Sequence, residues 1–273
     1  MYERYWQLKE KPFENTPDPR FMYYSRQHQD ALALVLYATQ EAKAAALLTG
    51  EYGSGKTLLS RILIDQLINN KFYEVALITN PALGPLQLIQ ELIYQLDNSD
   101  IKGEKTVLLH HFQEAVYNNF KQGKKTVIII DEAQLIDDQR TFEELRLLLN
   151  FQLNNKFLVT LLLIGQPELI RKISDIPQLE QRMSVKFHLA ELNKDESADY
   201  IRHRLAVSGR TAATFTREAQ DLIYAYSCGV PRKINNLCDI ALLIGSTRKA
   251  PEINKQIIED VLIDLTKQAA VYA

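Results

Sequence analysis

Of the 273 residues only two are cysteine, Cys228 and Cys238, and their spacing fits neither a metal site nor a disulfide framework. Both fall where the pattern reads as helix, so two reduced, packed thiols in a cytoplasmic protein are expected. No apolar run approaches the roughly 20 residues that cross a bilayer. The N-terminus, MYERYWQLKEKPF, is charged and aromatic and lacks the form of a signal peptide. An excess of one charge is missing too. Lys and Arg number 32 against 34 Asp and Glu, a net charge of −2, which gives no global case for nucleic acid or an anionic membrane. A local patch can still hide in a balanced total. Internal repeats and low-complexity segments are absent. What remains is an ordinary globular composition, 46% apolar and 24% charged, long enough for one large domain or two smaller ones.

Residues 1–25 contain KPFENTPDPRFMYYS, which is rich in proline and aromatics. This stretch is too apolar for a disordered tail and reads as an ordered arm. Ser25 has the chemistry of an N-cap for a helix over 27–39. Strands are predicted at 44–49, 72–79, 126–130, 157–164 and 185–189. Helices are predicted between them at 58–68, 86–96, 107–120 and 142–149. The alternation predicts an α/β fold, a parallel sheet with helices on both faces. Beyond about residue 191 the pattern changes to four helices, at 194–207, 217–226, 232–246 and 254–266. A small all-helical lid domain is therefore expected over 191–273, after a first domain over 1–190 that includes the arm.

The stretch Thr126-Val-Ile-Ile-Ile-Asp-Glu-Ala-Gln134 is a buried strand ending in two adjacent acids. Open parallel sheets place ligands at the C-terminal ends of their strands. Upstream, Gly50-Glu-Tyr-Gly-Ser-Gly-Lys-Thr57 fits the phosphate-binding pattern G-x-x-x-x-G-K-[ST] without deviation, between a strand and an amphipathic helix. Gly50, Gly53, Ser54, Gly55 and Leu58 supply backbone and helix start for an anion nest. Lys56 would reach the β- and γ-phosphates of ATP, and Thr57 would bind Mg²⁺. A chance glycine-rich turn is the bland alternative.

Asp131 would hold the same Mg²⁺, and Glu132 would polarise the attacking water. Capping of the next helix is the alternative for Glu132. Gln166 follows the strand FLVTLLLI and would stand beside Glu132 to position water, or else open the helix at Pro167 with its side chain in solvent. Arg182 and Arg232 are candidates to stabilise charge on the transferred phosphoryl, with Arg171 and Lys172 as competitors and plain surface arginines as the alternative. Phe21, Tyr23, Tyr24 and His28 could frame an adenine or simply pack.

These residues together carry a resemblance. The stretches YERYWQLKEKPFENTPDPRFMYYS, GEYGSGKT, IIIDEAQ, LLIGQPELI, IPQLEQRM, YIRHRL and GVPRKINNLCD resemble the AAA+ ATPases of the general secretion pathway protein A (ExeA-like) group. The resemblance runs to about residue 245. It implies an AAA+ sheet followed by a helical lid, with Gln166 as the sensor-1 residue, Arg182 as an arginine finger acting on a neighbouring subunit, and Arg232 as the sensor-2 arginine. It further implies ATP hydrolysis, homo-oligomeric rings or filaments, and work on cell-envelope assemblies such as secretion, pilus or exopolysaccharide systems. Larger members carry a transmembrane helix and a peptidoglycan-binding domain after the ATPase. This sequence shows neither and resembles the stand-alone members, for which a membrane-bound protein partner and a peripheral place at the inner membrane are expected.

The same architecture resembles transposition regulators of the Mu B type, which assemble on DNA with ATP. Near-neutral charge argues against this, since DNA binding uses several Lys or Arg contacts to phosphate. Lys121, Lys124 and Lys125, or Arg202, His203 and Arg204, are the local clusters that could serve it, unless they are merely solvated faces.

Overall fold

A strand buried on both faces must be apolar on both, and the strands at the centre of this protein are built that way. In chain order, the computed structural model, which describes residues 1–153 and 156–271, starts with the short helix α1 (Glu3–Trp6) and α2 (Arg26–Gln40). Then come β1 (Ala45–Gly50), α3 (Lys56–Ile68), β2 (Tyr73–Ile78), α4 (Pro85–Asp97), α5 (Lys105–Lys121) and β3 (Lys125–Ile130). Next are α6 (Gln139–Leu148), β4 (Gln152–Leu153), β5 (Lys156–Phe157), β6 (Val159–Gly165), α7 (Glu168–Ser174), α8 (Pro177–Glu180) and β7 (Met183–Leu189). Four helices follow: α9 (Lys194–Val207), α10 (Arg217–Ser227), α11 (Pro231–Thr247) and α12 (Lys255–Val271).

The chain forms two compact units. The first comprises Arg26–Glu51 and Lys56–Leu189. Its five strands run in the order β2-β3-β6-β1-β7, all parallel. Every residue of β1 and β6 is buried. Ile130 stands level with Leu163, and Leu47 with Leu163 on the other side, so β3 ends at a level beyond which β6 continues to Gly165 and β1 to Gly50. Leu88, Ile89, Leu92, Phe112 and Val116 of α4 and α5 share one core with Ile128, Ile130, Leu161 and Leu163. The expected single strand over 157–164 is divided. Residues 152–153 and 156–157 pair as an antiparallel hairpin, and the sheet strand begins only at Val159. The physical reason is that the amide of Leu158 bonds back to the carbonyl of Phe151 at 3.0 Å, which closes the hairpin before the sheet is entered.

The second unit comprises Met1–Ser25, Tyr52–Gly55 and the chain from Ala190 onward. Its core joins α9–α12 to the arm through Trp6, Phe13, Tyr200, Ile201, Leu237, Ile253 and Ile258. The arm was expected with the sheet; its packing places it here. Trp6 and Phe13 are among the largest fully buried side chains, and the Trp6 indole N–H donates to the Leu242 carbonyl at 2.8 Å. Gly245 makes room for that ring, because a β-carbon there would sit 2.9 Å from Trp6 Cζ2. Arg204, 4% exposed, donates to the carbonyls of Pro12 and Glu14 and lies over the Phe21 ring at 4.5 Å. The arm is also more regular than expected, with α1 and a 3₁₀ turn at Pro19–Phe21.

The cysteine expectation holds for one of the two. Cys238 is buried in α11, but Cys228 is exposed. It caps α10 in the left-handed conformation, φ 51°, just before Gly229, so its side chain leaves the packed face. Among the described residues, no helix is long and apolar enough to cross a membrane.

Candidate functional site

The site is assembled by the ends of β1 and β3. Between β1 and α3 the chain turns, and Gly53 (φ 82°) and Gly55 (φ 101°) take backbone angles that other L-residues rarely adopt. Lys56 is the first residue of α3 and is buried, yet its ammonium is not left without partners. Nζ donates to the carbonyls of Gly50 at 2.6 Å and Glu51 at 2.7 Å. Burial pulls the Lys56 ammonium below the usual lysine value, against the opposing pull of Glu132 and then Asp131. Thr57, in the first turn, is exposed, and Leu58 is half-buried.

Asp131 follows β3 directly. Its amide donates to the Ile78 carbonyl at 2.9 Å, which pins the chain as it leaves the sheet. Burial raises its carboxyl above the usual aspartate value. The amide of Glu132 at 2.9 Å and the Ser60 hydroxyl at 3.4 Å hold the ionised form, while the neighbouring Glu132 charge opposes it. Glu132 has φ 51° and ψ 37°, a left-handed backbone at a non-glycine residue. Such strain is of order 1–3 kcal/mol and concentrates at functional positions. Lys56, which opens α3 after β1, and Asp131 and Glu132, which follow β3, thus form one electrostatically coupled group within a single unit, with β6 lying between the two strands.

Gln166 is half-buried, one residue beyond β6. Its link to Glu132 runs through a residue that the sequence reading did not single out. Gln134 Nε2 donates to Glu132 Oε2 at 2.6 Å, and the Gln166 amide donates to Gln134 Oε1 at 3.0 Å. A glutamine in the fourth place of DEAQ is a visible signal, but nothing local says that it turns back toward the second acid. Lys172 was a competitor for the phosphoryl-contacting role. It instead donates to the carbonyls of Gln134 and Ile136 at 2.7 and 2.8 Å, and so fastens the segment after β3. Arg171 is exposed.

Arg182 donates to the Leu149 carbonyl at 2.9 Å and to Asn150 Oδ1 at 2.5 Å in its own unit. Arg232, the second residue of α11, belongs to the helical unit, as do Gly53 and Ser54. Its guanidinium lies 4.7 Å from the centre of the Tyr52 ring. A β-carbon on Gly53 would stand 2.8 Å from Arg232 Cβ, so glycine is needed there for space as well as for φ. Of the aromatics offered for adenine, Phe21 is buried under Arg204, and Tyr23 packs on Tyr200 and His203 with ring centres 6.0 and 5.8 Å away. Tyr24 is exposed, and His28 is buried in α2.

No group of three or more His, Cys, Asp or Glu that could hold a metal ion occurs among the described residues. Asp131 and Thr57 fit an ion that takes only one or two protein ligands and completes its shell with phosphate and water.

Comparison with known proteins follows this geometry. The family model described as an AAA domain matches residues 39–173. General secretion pathway protein A of Aeromonas hydrophila is 36% identical over 257 residues, covering 93% of this chain and 46% of that protein. An uncharacterised HTH-type transcriptional regulator of Methanocaldococcus jannaschii is 23% identical over 86% of this chain and 59% of its own length. The chain therefore spans about half the length of the curated relatives it matches. Among solved structures, the ORC2 protein of Aeropyrum pernix in its ADPNP–ADP complexes superposes with a TM-score of 0.67 at 16% identity, over 93% of this chain and 71% of that one. At that identity the likeness shows the fold: a parallel sheet with flanking helices and a C-terminal helical part.

Proposed function

Since the chain belongs to the AAA+ ATPases, in the general secretion pathway protein A group, we propose that it binds ATP on residues 50–58 and hydrolyses it to ADP and phosphate. The observation that carries this reading is the coupled group Lys56, Asp131 and Glu132 at the ends of β1 and β3. Gly50, Gly53, Ser54 and Gly55 shape the loop, whose backbone amides cradle phosphate. Lys56 is held by the loop's own carbonyls, which aims its charge along the loop toward the β- and γ-phosphates. Thr57 and Asp131 would hold Mg²⁺, which when bound offsets charge on the phosphates. Asp131, whose ionised form burial disfavours, would be stabilised by a cation beside it.

Glu132 orients water for attack on the γ-phosphorus and accepts its proton. A phosphorus–oxygen bond forms to water as the bond to the β–γ bridging oxygen breaks, and ADP leaves with that electron pair. Gln166 stands next to this step as the sensor residue. Arg182 serves as the finger on a neighbouring subunit's nucleotide once released from Leu149 and Asn150, and Arg232 reports nucleotide state from the helical domain over 191–273.

At the level of the cell, the reading is a cytoplasmic ATPase whose nucleotide-driven rings or filaments power or regulate assembly of an envelope machine. It works through a membrane-bound partner, at the periphery of the inner membrane. The printed name of the Aeromonas hydrophila relative supports the envelope connection. The DNA-switch alternative gains little from the basic clusters. Lys124 pairs with Glu74 at 2.8 Å, Lys125 donates to the Gln40 carbonyl at 2.5 Å, and Lys121 lies over Tyr117 at 4.4 Å. Arg202 pairs with Asp199, His203 packs on Tyr23, and Arg204 is spent on the arm.

The test is nucleotide binding and phosphate release by the wild type, Lys56→Ala and Glu132→Gln. The expected outcome is turnover in the wild type, loss of binding in Lys56→Ala, and binding with little turnover in Glu132→Gln. Unchanged ATP affinity in Lys56→Ala would sink the phosphate-loop assignment. Binding of a random DNA duplex by Glu132→Gln only with ATP, and steeply salt-dependent, would replace the envelope reading with the DNA switch.

A further inference from the structure

We propose that Gln134 is a positioning residue for hydrolysis: its side-chain amide is locked with the N–H side toward Glu132, holding one carboxylate oxygen and leaving the other to face water. This rests on the ATP-hydrolysing reading above.

The lock has a chemical cause. The amide of Gln166 can only donate, so the group it meets at 3.0 Å must be the oxygen end of the Gln134 amide. That choice turns Nε2 toward Glu132, where it donates to Oε2 at 2.6 Å. The orientation of the side-chain amide is thus dictated by a backbone donor at the end of β6. Space is dictated as well. A β-carbon on Gly165 would stand 2.6 Å from Gln134 Oε1 and 2.9 Å from Leu169 Cδ2, so the amide can lie there only against a bare α-carbon.

The backbone under Gln134 is equally fixed. Ala133–Leu135 form a 3₁₀ turn, the Leu135 amide donates to the Glu132 carbonyl at 2.9 Å, and Lys172 binds the Gln134 carbonyl. At the other end of the bond, Glu132 sits in a left-handed backbone conformation that sets the direction of its side chain. The Glu132 carboxylate is thereby held by one oxygen, in the group it forms with Lys56 and Asp131. A charge-assisted bond of this kind is among the stronger hydrogen bonds in proteins, and positioning of a base acts on the chemical step rather than on ground-state binding.

The experiment compares Gln134→Glu with Gln134→Ala. Gln134→Glu keeps the volume and the acceptor for the Gln166 amide, and replaces only the donor facing Glu132 with a second negative oxygen. The expected result is a kcat lowered by about tenfold or more, with ATP affinity within about twofold of wild type and a larger loss than in Gln134→Ala. A second readout does not depend on turnover. The swap Glu132→Gln/Gln134→Glu re-creates the bond with donor and acceptor exchanged, so it should recover the melting temperature that Gln134→Glu loses. Wild-type kcat in Gln134→Glu, or no recovery in the swap, would overturn the proposal. A wild-type protein that binds ATP but does not hydrolyse it would remove the hydrolysis reading and this one together; wild-type turnover with an indifferent Gln134→Glu removes only the role of Gln134.

Discussion

The polar groups buried at the C-terminal edge of the sheet and those buried in the helical unit are used in opposite ways. In the helical unit, Arg204 and the indole of Trp6 are each matched to backbone carbonyls, and both tie the arm to helices some two hundred positions away. Their burial strengthens the fold. At the sheet edge, Asp131 is desolvated with a second carboxylate beside it, and Glu132 carries backbone strain. That edge holds charge and strain that cost stability, as the proposed phosphate site would require. The helical core gives its buried donors full sets of carbonyl partners, whereas the sheet edge sets two carboxylates side by side.

Four changes would break or sharpen this contrast. The largest effect is expected for Glu132→Gln. Phosphate release should slow roughly 10²–10⁴-fold with ATP still bound, since that is the usual contribution of a general base. A near-normal rate would move the base elsewhere. Trp6→Ala should do the reverse. It should lower stability by about 3–5 kcal/mol through the cavity and the lost bond to Leu242, as denaturant titration would show. If ATP affinity at low temperature fell while stability held, the arm would belong to the nucleotide site and the contrast would fail.

Asp131→Asn is the sharper test because its two effects have opposite signs. Burial holds the Asp131 carboxyl above its unfolded value, so the folded protein keeps that proton to higher pH and stability falls as pH rises through its titration. The penalty grows as the group ionises. Without nucleotide, Asp131→Asn should therefore melt higher, by about 2–4 °C if ~1 kcal/mol is relieved, and the gain should shrink as pH drops into the carboxylate range. Turnover should collapse in the same variant. A lower melting temperature at neutral pH would show that Asp131 supports the fold. The smallest effect is expected for Lys124→Ala, which breaks the surface pair with Glu74. Exposed pairs contribute about 0.2–1 kcal/mol, and neither stability nor turnover should change by more than that.

Much of this protein was legible before any coordinates. The five sheet strands, their helices and the helical C-terminal part follow from hydrophobic periodicity, because a strand covered on both faces, such as Val159–Gly165, has no freedom to be polar. The glycine turn after β1 was legible because Gly53 and Gly55 take backbone angles that few residues tolerate. The hairpin that splits 157–164 escaped detection because residues 157 and 158 are as apolar as the strand they precede. Cys228 was misplaced because the periodicity of α10 does not announce that its last packed position is Ser227.

Sequence alone determined which groups are candidates for the chemistry, since phosphate binding, water activation and tight turns each admit few residue types at fixed local spacing. Tertiary structure alone decided what those groups touch. It sent the arm to the helical unit, set Arg182 on Leu149 and Asn150, and turned Gln134 back onto Glu132. Contacts of that kind depend on distances between segments far apart in the chain. A side chain able to donate a hydrogen bond carries no record of which distant acceptor folding will bring to it.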